Sequence, residues 1–171
     1  MLFNHRKRGF AWLVMPVFLA LATLAGANDD LKISEPSALD RYYMSQQREM
    51  LDSVTRGKYG RQFKGEKDYD LALLQRLLDD KVFENTQKRE LQAMGVIMGD
   101  LLAEDLGMHW VIYEDRAGRS RALRYKDSDA YLFPITMISR RREVDNREPV
   151  VDIYQRAYDI IDPLRAPMPF Q

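Results

Sequence analysis

The chain has no cysteine. That absence excludes disulfides, thiolate nucleophiles and cysteine-ligated zinc together. Histidine is nearly as scarce: of the two present, only His109 lies beyond the N-terminal apolar segment. A histidine-dependent triad or a two-histidine metal site would therefore rest on one residue, and no GxSxG nucleophile elbow accompanies it. Neither sign of charge is in excess, since 26 basic residues face 26 acidic ones. No bulk field recruits nucleic acid or anionic lipid, and nucleic acid is not an expected partner. The chain also lacks internal repeats and low-complexity segments. No catalytic residue, cofactor site or metal site is read from the sequence.

What is present begins with a leader. Arg6, Lys7 and Arg8 precede an apolar stretch, and the small residues Ala25, Gly26 and Ala27 follow it. This is the three-part pattern of a secretory signal peptide, with cleavage expected after Ala27. The alternative is a retained anchor, because residues 10–27 approach the roughly 20 needed to span a bilayer. Pro16 and the small-residue exit favour cleavage. The expected product is periplasmic or secreted, without a membrane span, and carries 23 basic against 26 acidic residues. About 140 residues can bury a sufficient core without staples, so one domain is expected.

Along that product, residues 28–34 read as a tail, residues 35–162 as a single domain, and residues 163–171, with three prolines, as a second tail. Ser37 or Ser34 can cap a first helix that stops near Gly57, with Leu39, Tyr43, Met50, Leu51 and Val54 on one face. A second helix follows the glycine- and lysine-rich connection through Leu71, Leu74 and Leu78. A third is capped at Asn85 and closed by Gly107. The period then changes to alternation: MHWVIYED, the turn DRAG, SRALRYKD and AYLFPI read as a three-stranded antiparallel meander. A short helix over residues 135–142, with Ile135 and Ile138 inward and the arginines outward, and a last helix starting at Pro149 complete an α+β fold. That gives three N-terminal helices, a small sheet and two C-terminal helices.

The stretch MGVIMGDLLAEDLGMHW concentrates the unusual choices. Gly95 and Gly99 form a GxxxG pair, but Asp100, Glu104 and Asp105 beside them argue against a membrane helix. Each glycine costs about 1 kcal/mol against alanine in a helix, so the pair is expected to permit close backbone approach under the sheet. Trp110 is placed against that helix as core. Asp100 and Glu104, four apart, read as a solvated face. Asp105 falls near the middle of the apolar stripe, where an acid either snorkels to water at a fraying helix end or wants a partner: a later arginine or His109. His109 itself reads as a strand-edge structural residue. GKYG resembles the GxxG loop of KH domains, but the flanking βααβ order is missing. The run ISRRREVDNRE supplies Arg140, Arg141 and Arg142, which with Arg119, Arg121 or Arg124 of the hairpin could form an anion or partner patch.

The order of these residues resembles a bacterial domain-of-unknown-function family, number 3806, over roughly residues 70–160. The shared pattern is a helix with Gly95, Gly99 and Asp100, then Leu106, Gly107 and Trp110, a hairpin, Phe133, Pro134 and a basic helix. The resemblance implies no activity and no catalytic residues. The expected function is a noncatalytic exported domain that binds an envelope protein or an anionic ligand, with Arg140, Arg141, Arg142, Asp105 and His109 as candidate binding residues. Two alternatives stand beside it: a small hydrolase-type enzyme using carboxylates with His109, and a passive structural envelope protein. An enzyme would need these groups to converge in one concave pocket.

Overall fold

The computed structural model describes residues 31–165. The leader and residues 28–30 and 166–171, on which the expected cleavage and much of the C-terminal tail fall, lie outside the described residues. Among the described residues the fold is α+β, with five α-helices and a four-stranded antiparallel sheet. In chain order the elements are β1 (Lys32–Ser34), α1 (Ala38–Tyr59), α2 (Lys67–Asp79), α3 (Lys88–Leu106), β2 (Met108–Asp115), β3 (Gly118–Tyr125), β4 (Tyr131–Leu132), a 3-10 turn (Pro134–Thr136), α4 (Met137–Glu143) and α5 (Val150–Ile161).

The sheet order is β1-β2-β3-β4. The expected meander forms as β2, β3 and β4, with Trp110 opposite Leu123 and His109 opposite Arg124. The fourth strand is a correction. Residues 32–34, read as tail, add to the open edge of β2, with Ser34 opposite Ile112. Three residues are too short to show a period, and the free backbone groups of β2 are what recruit them. A 3-10 turn over Asp162–Leu164, with no buried residue, continues α5 into the expected second tail.

Helix α3 is the centre of the fold. Its residues 93–99 are all buried, as are Leu91, Leu101, Leu102 and Leu106. A helix apolar on nearly every side must be surrounded. Here α1, α2, α4, α5 and the sheet surround it. Gly107 ends it in the left-handed conformation at φ 64°, where glycine carries no Cβ penalty. Its first turn lacks the expected asparagine cap: Gln87 holds the N-cap position without a side-chain capping bond.

Helix α1 departs further from expectation. It runs past Gly57 to Tyr59 and stops at Gly60, φ 65°. Its buried stripe is Asp40, Met44, Gln47, Leu51 and Thr55, while Leu39 is 75% exposed. The stripe is rotated from the apolar face that the sequence suggests, because the groups facing it are partly polar. Ser37 caps the helix, as expected. Its hydroxyl accepts from the Asp40 backbone N–H at 3.2 Å, and its own N–H donates to Asp40 Oδ2 at 3.0 Å, a reciprocal capping box.

Candidate functional site

The two glycines of α3 permit close approach, but only Gly99 lies against the sheet, and Gly95 lies against the 3-10 turn. A Cβ at Gly95 would lie 2.5 Å from the carbonyl oxygens of Pro134 and Ile135, and one at Gly99 would lie 2.5 Å from Cζ2 of Trp110. The 3-10 turn and the tryptophan therefore rest directly on the helix backbone. Asp100, about a third exposed, is also paired across the fold. Arg48 of α1 grips it with two hydrogen bonds, Nε to Oδ2 at 2.6 Å and one terminal nitrogen to Oδ1 at 2.7 Å, and the Trp110 indole N–H donates to Oδ1 at 3.0 Å. Helix α1, helix α3 and strand β2 are pinned at this one carboxylate. Sequence spacing cannot supply a partner 52 residues away, which is why a wheel reads Asp100 as surface.

Asp105 also finds partners other than those expected. The Tyr154 hydroxyl of α5 donates to it at 2.6 Å and Lys67 of α2 pairs with it at 3.1 Å. Burial pushes its carboxyl up, but these two donors outweigh burial and leave it below the usual range. The same burial, with Asp105 beside it, drives the Tyr154 hydroxyl far upward. His109 takes no part: it is exposed on β2 opposite Arg124. Asp100 and Glu104 line one cleft with Asp52 and Asp70, and neither Asp105 nor His109 lines it.

The basic run divides three ways, and the expectation of three outward arginines is corrected. Arg140 is exposed. Arg141 donates to Glu148 at 2.7 Å and to the Met137 carbonyl at 2.7 Å, holding α4 against the segment that leads into α5. Arg142 is buried. Successive helical residues are 100° apart, so three in a row cannot share one face.

Arg140 instead joins residues distant in sequence. It lines a cleft of about 500 Å³ with Arg119 and Arg121 of the hairpin, Tyr43 of α1, Tyr113 of β2 and Phe133. The floor is organised by Asp40, buried at the start of α1. Arg119 makes two hydrogen bonds to it, at 3.0 and 2.6 Å, and Arg121 pairs with it at 2.9 Å. The Arg119 guanidinium holds Asp40 well below the usual carboxylate range, against the opposing effect of burial. Arg121 also lies over the Tyr43 ring at 4.2 Å, and its Nε is buried without an acceptor. Tyr113 meets Phe133 edge-on at 5.2 Å and Tyr131 at 5.0 Å.

Hairpin arginines were therefore legible as a patch, but Asp40, Tyr43 and Tyr113 were not. The S-x-x-D spacing of Ser37 and Asp40 signals a cap and nothing of the arginines beyond it.

A crystal structure of a protein from Bacteroides thetaiotaomicron VPI-5482 at 1.50 Å resolution is similar to this chain, with a TM-score of 0.68 and 19% identity, over 76% of this chain and 48% of that one. The chain thus matches about half the length of that protein, and at this identity the likeness is one of fold. No curated protein matches. The model of the family described as Domain of unknown function (DUF3806) matches residues 70–154, the segment from within α2 to within α5.

Proposed function

We propose that the chain is an exported, noncatalytic binding domain, and that the cleft between α1, the β2–β3 hairpin and the 3-10 turn seats an anionic group of an envelope component. Arg140 carries this reading. Among the described residues it has no ion-pair partner, and it lines the same cleft as two arginines that share the single carboxylate of Asp40, so positive charge is left over there. A carboxylate or phosphate entering there meets one free guanidinium and an aromatic wall of Tyr113 and Phe133. Arg119 and Arg121, held by Asp40, shape the floor and add to its positive field. The leader pattern supports export. Asp100 and Asp105 already hold structural donors, Glu104 is exposed, and His109 lies outside the cleft that Asp100 and Glu104 line, which favours binding over catalysis.

The test is Arg140→Gln in pull-downs from an envelope extract at low and moderate salt, with urea midpoints alongside. A salt-sensitive partner captured by the natural chain and lost by the variant, at an unchanged midpoint, is the expected result. Equal capture by both sinks the assignment of the cleft.

A further inference from the structure

A second cleft, of about 460 Å³, opens between the end of α2, the connection that follows it and the end of α4. Arg142 lines it and is only 8% exposed. Among the described residues, no hydrogen bond or ion pair reaches its guanidinium. Its five N–H donors therefore have no acceptor from the chain and are available to whatever enters the cleft. Burial accordingly pushes the Arg142 pKa down, with Asp79 offsetting part of the effect from beyond ion-pair range.

The neighbouring charges explain why no residue of the chain satisfies it. Lys81 and Arg147 are the other cations of the lining, and Asp79, Glu84 and Asp145 are its carboxylates. Asp79 accepts from Gln75 at 2.7 Å, and Asp145 accepts from Arg147 at 3.3 Å and from Asn85 at 3.4 Å. Two of the three acids are thus engaged elsewhere, and Glu84 is exposed.

We infer that this cleft is a binding site for a carboxylate, which Arg142 receives in a two-pronged contact. The planar fork of a guanidinium matches a carboxylate edge to edge. Three cations and three carboxylates leave the lining without net charge, so it favours a monoanion, whereas a phosphate dianion meets the acids at close range. The carboxylate can belong to a small molecule or to the C-terminus of a peptide, and the cleft has room for either. This site is separate from the one around Arg140.

Sodium acetate titrated into the isotopically labelled chain, against sodium chloride at matched ionic strength, tests the inference by NMR. The Arg142 Nε–Hε resonance and the amides of residues 81–86 and 142–147 should shift saturably with acetate and not with chloride. Arg142→Met should abolish the shifts and raise the urea midpoint, since it removes a buried charge and keeps the volume. The tripeptide Gly-Gly-Ala then separates the sources. Tighter binding than acetate, lost on amidation, identifies a peptide terminus; binding equal to acetate identifies a small carboxylate. The inference is overturned if acetate gives no saturable shift, if chloride reproduces it, if the shifts survive in Arg142→Met, or if that variant is less stable or unfolded. Stronger binding of inorganic phosphate than of acetate would overturn the monoanion assignment.

Discussion

Trp110 lies across Gly99 so closely that the two positions hold one side chain between them, and the indole N–H reaches the next residue along, Asp100, at 3.0 Å. Glycine makes room for the ring and aspartate receives its polar edge. Two adjacent residues of α3 thus serve one tryptophan of β2, and Arg48 completes the join from α1.

Replacing Gly99 with leucine should therefore lower the urea midpoint by the equivalent of about 1–3 kcal/mol, the usual cost of overpacking. Gly95→Leu should cost at least as much, because the atoms it meets are backbone carbonyls of the 3-10 turn and cannot rotate away. An unchanged midpoint for both variants would falsify the close-approach reading.

Asp100→Ala leaves Arg48 and the indole N–H without their acceptor. We expect a loss of about 1–2 kcal/mol, at the lower end for a charged network because both ionic side chains are about a third exposed. Tryptophan emission should move to the red in the native state as water reaches the ring. A native spectrum and midpoint both like those of the parent would show that the network contributes nothing measurable.

The three arginines of α4 should behave differently. Arg140→Gln should change stability by less than about 0.5 kcal/mol, as expected for an exposed side chain. Arg141→Gln should cost about 1–2 kcal/mol, since Glu148 would lose a donor. Chemical denaturation of the single variants checks this, and equal effects at both positions would contradict the division of the cluster.

Acid stability should depend on Asp40 and Asp105. Both are held below the ordinary carboxylate value, Asp40 chiefly by Arg119, and Asp105 by Tyr154 and Lys67 against burial. The folded state then binds fewer protons than the unfolded one. Their stabilisation is fully present above the unfolded pKa of about 4 and is lost progressively as pH falls from there through their lower folded values. Asp70 acts in the opposite sense: burial raises it, so its contribution favours folding at low pH and weakens as pH rises through the same region. Midpoints measured from about pH 6 to about pH 3 should fall, and Asp40→Asn should flatten that fall. The same slope in both proteins would remove Asp40 as a source of acid sensitivity.

If the leader is processed as its pattern suggests, N-terminal sequencing of the exported protein should begin at Asn28. Recovery of the intact chain from a membrane fraction would establish an anchor instead.

Local chemistry was legible in the residues themselves. The change from helical to alternating periodicity after Gly107, the hairpin, the cap at Ser37 and the close approach at Gly95 and Gly99 all rest on interactions spanning a few residues, or on the absence of a Cβ, and the amino acid order carries these directly. Pairing across the fold was not legible. Asp100 with Arg48, Asp105 with Lys67 and Tyr154, and Asp40 with the hairpin arginines join groups tens of residues apart, and a carboxylate on a helix wheel looks the same whether water or a guanidinium faces it. For the same reason, Arg140, Arg141 and Arg142 read as one patch in sequence but have three environments in the fold. The turn of the helix separates their directions, and the neighbours in each direction decide whether a guanidinium is free, paired or buried.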